Sequence, residues 1–353
     1  MPSTGQGNLT VLIVIIGIAL VFDFINGFHD SANSIVTLVS TRVLTPKYAV
    51  IWAALFNFVA VGLLGFKVAK TMATEIVEPG IAGNEVVFSA LMGAIAWNLI
   101  TWYYGIPSSS SHALIGGFVG GGLAAGGFSV VKWKSLSMPL LGIVLAPTLC
   151  LACGFLFMLA ILWIWRKSHP APTNRLFKQL QFLAAAVYSV AHGANDAQKT
   201  IGIICALLVA EGFLKPKNPT IGLAGDEVPM WIASCAFLAI ALGTLSGGWR
   251  IVKTMGTKIT KLRPAEGFAA AMAGGVLILG FTELGLPVST THSITGAIMG
   301  VGATKRLSAV RWGVSARIVW AWVLTIPASA IVAIGSYWLA QLGVDAYRYL
   351  SYI

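Results

Sequence analysis

The sequence predicts an all-α membrane protein: a polytopic helical bundle of two inverted-topology repeats, with broken helices and re-entrant hairpins. Three observations predict it. Of 353 residues, 57% are hydrophobic and only 10% are charged, whereas soluble domains carry about 25% charged residues. A water-facing surface of this size would need far more charge. The apolar residues fall in long runs. Short motifs also recur in the same order in the two halves of the chain.

The runs come first. Leu9 to Ile25, Tyr48 to Phe66, Val86 to Tyr104, Met138 to Trp165, Trp231 to Leu245 and Gly313 to Ala340 are mostly near or above the roughly 20 residues that span a bilayer. A signal peptide would explain only the first. No basic stretch precedes that run, so it is read as the first span. Counting weaker segments gives about ten crossings and up to about twelve helical elements. The division is 1–165 for the first repeat, 166–180 for a basic linker and 181–353 for the second repeat. The linker carries Arg166, Lys167, Arg175 and Lys178 with Pro170 and Pro172, a composition hard to continue as helix.

A cytoplasmic linker puts Arg42, Lys47, Arg250, Lys253, Lys258, Lys261, Arg263, Lys305, Arg306 and Arg311 on the inner side. Lys67, Lys70, Lys132, Lys134, Lys215, Lys217 and Arg348 fall on the outer side. The excess of cations inside follows the rule for membrane proteins, and both termini are then expected outside. The same bias accounts for the net charge of +11 without a nucleic-acid partner. Cys150 and Cys153 have CxxC spacing but sit inside an apolar run, where small apolar filling is the expected role.

The halves match at three points. Asn26-Gly27-Phe28-His29-Asp30 parallels His192-Gly193-Ala194-Asn195-Asp196. Val68 to Met72 parallels Ile251 to Met255. Ile106-Pro107-Ser108-Ser109-Ser110-Ser111-His112 parallels Leu286-Pro287-Val288-Ser289-Thr290-Thr291-His292. Gly116, Gly120 and Gly122 then match Gly296, Gly300 and Gly302. An odd number of crossings between equivalent elements requires the second copy to be inverted, as in secondary transporters with a midplane substrate site.

Asp30 and Asp196 lie in apolar surroundings, where a carboxylate costs several kcal/mol to insert and so marks a candidate functional site. Lys199, one turn after Asp196, offers an ion-pair partner; the equivalent residue after Asp30 is Asn33. Asp23 is a weaker candidate. Gly27 and Gly193, beside Asn and Asp, suit either a helix break that frees backbone groups or close helix packing. Pro107 with Ser108 to Ser111, and Pro287 with Ser289, Thr290 and Thr291, read as helix starts. Helix N-termini present amide donors and positive partial charge to an oxyanion. Two such starts meeting at the midplane would wrap a tetrahedral anion. Asp30 and Asp196 would then need protons or cations beside them to tolerate it. A serine nucleophile with His112 or His292 as base is the enzymatic rival. The duplication argues against it, and neither G-x-S-x-G nor H-E-x-x-H occurs.

At these motifs the chain resembles the PiT family of inorganic phosphate transporters, over nearly its whole length. Gly27-Phe28-His29-Asp30-Ser31-Ala32-Asn33 and Gly193-Ala194-Asn195-Asp196-Ala197 match the family's repeated cluster. The Pro107 and Pro287 segments match its hairpin tips, and Gly247 to Gly256 matches a run of bacterial members. The resemblance implies a symporter of inorganic phosphate and a homodimer in a bacterial inner membrane. It implies phosphate binding by Ser109, Ser110, Ser111, Ser289, Thr290, Thr291, Asn195 and Asn33. Protons or sodium would couple at Asp30 and Asp196, with no enzymatic activity and no other cofactor. Sodium-coupled animal members carry a glutamate about 27 residues after the first aspartate of the motif. Asn57 stands there in this chain, and the second half is apolar at Ile240 to Ala241. This departure resembles the low-affinity bacterial type, which implies protons rather than sodium and metal-phosphate as an acceptable substrate. The alternatives are a symporter of another tetrahedral oxyanion such as sulfate, or a gated anion channel.

Overall fold

The computed structural model describes residues 9–74, 83–215 and 227–351. Among them it is helical, with no strand. The first half contains α1 (Leu9–Ser40), α2 (Pro46–Val59), α3 (Lys67–Thr74), α4 (Asn84–Tyr104), α5 (Ser110–Gly126) and α6 (Trp133–Ile164). The second contains α7 (Pro170–Ala210), α8 (Met230–Ser246), α9 (Trp249–Lys253), α10 (Pro264–Glu283), α11 (Thr290–Ala303) and α12 (Trp312–Ser351). The expected Lys217 and both chain ends lie outside the described residues, as does the side chain of Arg348.

Among the described residues, six helices are long and apolar enough to cross a membrane, and a bent pair, α8 with 249–259, makes a seventh. The Tyr48 to Phe66 run, counted among about ten expected crossings, folds as α2, which at 14 residues reaches only about 21 Å at 1.5 Å per residue. The surface is apolar: Ile13, Val144, Trp163, Trp320, Ile331 and Leu339 are exposed. Asp23, Asp30, Asp196, Asn33, Asn195, His29 and His192 are buried instead, the distribution that lipid as solvent selects.

Two apolar cores flank that polar interior. One takes Leu12 to Phe22 of α1 and Ala194 to Leu208 of α7; the other takes Ala32 to Leu38 of α1 and Ala184 to Ala191 of α7. Each core therefore holds the early part of one helix and the late part of the other. Since α1 and α7 pack together, they run antiparallel.

The structure decides between the two readings of the motif glycines and shortens the expected linker. α1 and α7 run unbroken through Gly27-Asp30 and Gly193-Asp196. The glycines serve packing: a Cβ on Gly27 would lie 2.2 Å from the Ile240 carbonyl oxygen, and one on Gly193 2.6 Å from that of Asn57. The chain breaks instead between α8 and α9, bent by 61° at Gly247-Gly248. The linker does interrupt the helix, but only between Ile164 and Pro170. α7 begins at Pro170, because a first turn has no backbone partner for the N–H groups that prolines lack.

The packing is reciprocal. α5 lies on α12 and α11 lies on α6. Gly116 and Gly120 meet Ile326 and Ala330 of α12, while Gly296 and Gly300 meet Pro147 and Leu151 of α6. α4 with α5, and α10 with α11, form two helical hairpins. Each turn holds a glycine in the left-handed region, Gly105 at φ +65° and Gly285 at φ +73°. They rest on Arg250 of α9 and Lys67 of α3 respectively, residues at matching positions of the two halves.

Candidate functional site

The two hairpin turns are buried, unlike ordinary loops, and they meet each other. The Ser111 hydroxyl lies 3.4 Å from the Val288 carbonyl oxygen, and the rings of His112 and His292 are 4.7 Å apart. His292 stacks on Trp322, whose indole N–H donates to the Pro107 carbonyl at 3.0 Å. α12 thus holds the first turn against the second.

The helix starts form as the sequence predicts. Ser109 caps α5, its hydroxyl accepting from the His112 N–H at 3.2 Å; Ser289 caps α11 in the same way from His292, also at 3.2 Å. The prolines lie two residues before these caps, in the turns themselves. Capping engages Ser109 and Ser289; Ser110, Thr290 and Thr291 turn toward the carboxylates, while Ser111 donates to the Val288 carbonyl and accepts from Lys199.

Ser110 donates to Asp30 Oδ2 and Thr291 to Asp30 Oδ1, each at 3.3 Å. Thr290 donates to Asp196 Oδ2 at 3.2 Å. Asn33 donates to Thr291 Oγ1 at 2.9 Å. Asn195 instead clamps the second hairpin: its amide donates to Thr282 Oγ1 at 2.9 Å and to the Leu286 carbonyl at 3.2 Å, and its oxygen accepts from the Val288 N–H at 3.3 Å. The predicted residues therefore converge in one cluster: Ser110, Thr290 and Thr291 bond the carboxylates, Asn33 bonds Thr291 and Ser111 accepts from Lys199. Ser109, Ser289 and Asn195 hold the turns.

Several partners were not singled out from sequence. His29 Nδ1 lies 2.6 Å from Asp30 Oδ1, and its Nε2 lies 3.0 Å from Thr101 Oγ1. His192 Nε2 lies 3.1 Å from Asp196 Oδ2; its spacing of four residues along α7 was the legible signal. Tyr188 donates to the Thr290 carbonyl at 2.8 Å. Asp23 accepts from Thr200 at 2.5 Å. Lys199 pairs with Asp196 at 2.5 Å, as its spacing predicts.

One oxygen from each of Asp30 and Asp196 and one nitrogen of His192 lie within 4.8 Å of one another. All three residues are buried. Carboxylates this close in a low-dielectric interior repel strongly, and Lys199 offsets one of the two charges. The arrangement offers a cation oxygen and imidazole ligands, and offers an oxyanion hydroxyls and two helix N-termini.

A membrane-embedded helical core with duplicated anion-capable helix ends around buried carboxylates defines a membrane transporter. A family model described as "Phosphate transporter family" matches residues 26–333. A Rhizobium meliloti (strain 1021) protein described as a "Probable low-affinity inorganic phosphate transporter" is 52% identical over 334 residues, covering 94% of this chain and 97% of its own. A Bacillus subtilis (strain 168) protein of the same description is 44% identical over 337 residues, covering 95% and 98%. A solved structure titled "The sodium-dependent phosphate transporter" is similar with a TM-score of 0.83 and 26% identity, covering 94% of this chain and 99% of that one. The chain belongs to the phosphate transporter family. It is a transporter and not an enzyme.

Proposed function

We propose that the chain carries inorganic phosphate by cation-coupled symport. The observation that carries this reading is the convergence of two capped helix starts, bearing Ser110, Ser111, Thr290 and Thr291, on Asp30 and Asp196 in one buried cluster. Phosphate near neutral pH carries one to two negative charges. Beside two carboxylates it binds only when positive charge binds with it. That mutual dependence is the thermodynamic content of symport, since each ligand raises the other's affinity. The relatives' names give phosphate as the substrate, and the solved neighbour's title names sodium.

Protons are favoured over sodium here. Asn57, in place of a carboxylate, donates to Thr244 Oγ1 at 2.9 Å and accepts near His192 at 3.2 Å, a neutral strut between α2, α7 and α8. The substrate includes metal-phosphate complexes, whose lower charge eases entry. The two halves, inverted across the bilayer, move against each other by alternating access; the antiparallel α1 and α7 and the reciprocal packing support this. The protein works as a homodimer in a bacterial inner membrane with both termini outside.

The test is radiolabelled phosphate uptake into proteoliposomes under separately imposed sodium and pH gradients. Accumulation driven by the pH gradient is the expected result. Passive equilibration under every gradient would turn the assignment to a channel. Competition by sulfate as strong as by arsenate would turn it to a broader oxyanion carrier.

A further inference from the structure

Positions 33 and 199 are equivalent in the two motifs, three residues after Asp30 and Asp196, yet one is asparagine and the other lysine. The lysine is only 2% exposed. Its Nζ lies 2.5 Å from Asp196 Oδ1, 2.5 Å from Ser111 Oγ and 2.9 Å from the Val288 carbonyl oxygen. A carboxylate, a hydroxyl and a backbone carbonyl are the ligand types a small hard cation takes. These three come from α7 and from both hairpin turns. At Asp30 no lysine intervenes: the carboxylate meets His29, Ser110 and Thr291, and Asn33 reaches past it to the second turn.

We infer that the Lys199 ammonium is a tethered cation that permanently fills the coupling site of the second half, leaving the Asp30 half to take the one mobile cation or proton that accompanies each phosphate. The inference rests on the symport reading above and makes the coupling of that same site asymmetric. Asp30, Asp196 and Lys199 between them leave one net negative charge before the substrate arrives, which one mobile cation cancels. An ammonium fixed to α7 lowers the repulsion felt by an anion as an ion would. It cannot travel with the substrate, so it adds no driving force. Its bonds to both turns also make it a bridge that must rearrange when the hairpins part.

Replacing Lys199 by asparagine, the residue of the first half, empties a position whose remaining ligands suit sodium. The experiment compares wild type and Lys199→Asn in proteoliposome uptake and in thermal unfolding of the purified proteins, in sodium chloride or choline chloride. For wild type, uptake should follow the coupling cation with a Hill coefficient near one. For Lys199→Asn, the phosphate half-saturation should rise by about tenfold or more in choline and recover in sodium. Its Tm should gain a sodium-dependent rise beyond that of wild type. Wild-type phosphate affinity of Lys199→Asn in choline, or no added response of its Tm to sodium, would overturn the inference. A wild-type Hill coefficient near two would overturn it without any variant, so the question stays open to decision if Lys199→Asn does not fold. If wild type takes up no phosphate, the symport reading falls, while the Tm comparison still tests the tethered cation.

Discussion

At the scale of single residues, the two aspartates differ although their motifs match. Asp196 is held by Lys199, His192 and Thr290, whereas Asp30 has His29 and two hydroxyls from opposite turns. Asp30 is thus the carboxylate with neutral donors on both turns, the better candidate for a mobile cation. Asp30→Asn should abolish gradient-driven phosphate uptake while the purified protein stays folded and monodisperse, because the amide keeps the side chain's size and loses its charge. Undiminished uptake by Asp30→Asn would remove Asp30 from the coupling site. Ser110→Ala takes one charge-assisted hydrogen bond from that carboxylate, an effect of about 1.5–3 kcal/mol. A rise in phosphate half-saturation of about tenfold or more is expected, read from uptake at graded phosphate concentrations.

At the scale of elements, close approach of helix backbones sets the positions of α1 and α7. A Cβ at Gly27 would fall against the Ile240 carbonyl of α8, whereas Gly17 on the same helix has nothing within 4 Å. Overpacking of this kind costs about 1–3 kcal/mol or more. Gly27→Ala should therefore lower the Tm of the purified protein by several degrees, and Gly17→Ala should leave it unchanged or raise it slightly. Equal Tm values for the two variants would mean that this contact does not limit stability. The hairpin turns obey a second rule. Gly105 and Gly285 take a left-handed conformation that side chains rarely adopt, which lets each turn fold back within the protein interior.

At the scale of the whole molecule, the cluster is closed to solvent. Asp30, Asp196, Ser110, Ser111, Thr290 and Thr291 are all buried, and the turns touch at Ser111 and Val288. A solute reaches such a site only when the hairpins separate. Ser111→Cys, in a background with Cys150, Cys153, Cys205 and Cys235 replaced, should react with a membrane-impermeant thiol reagent during turnover. Phosphate should slow that reaction, as followed by mass spectrometry. A labelling rate indifferent to phosphate would take Ser111 off the substrate path. Near the hairpin ends, Lys67 pairs with Glu283 at 2.8 Å, and Arg250 donates to the Tyr103 carbonyl. Each half thus steadies the hairpin of the other with the residue at the matching position.

The membrane solvent, the duplicated motifs and the residue types of the site are legible along the chain, because hydropathy, repetition and buried charge are local properties. The capping at Ser109 and Ser289 is legible too, a matter of neighbouring backbone groups. That Gly27 and Gly193 pack and do not break their helices emerges with the folded molecule, since the atoms that forbid a Cβ there belong to α8 and α2. The same folding sets which hydroxyls face the carboxylates and joins Lys199 to both hairpin turns. Those contacts link residues about 80 to 260 positions apart, and nothing in a local pattern fixes which distant segments meet.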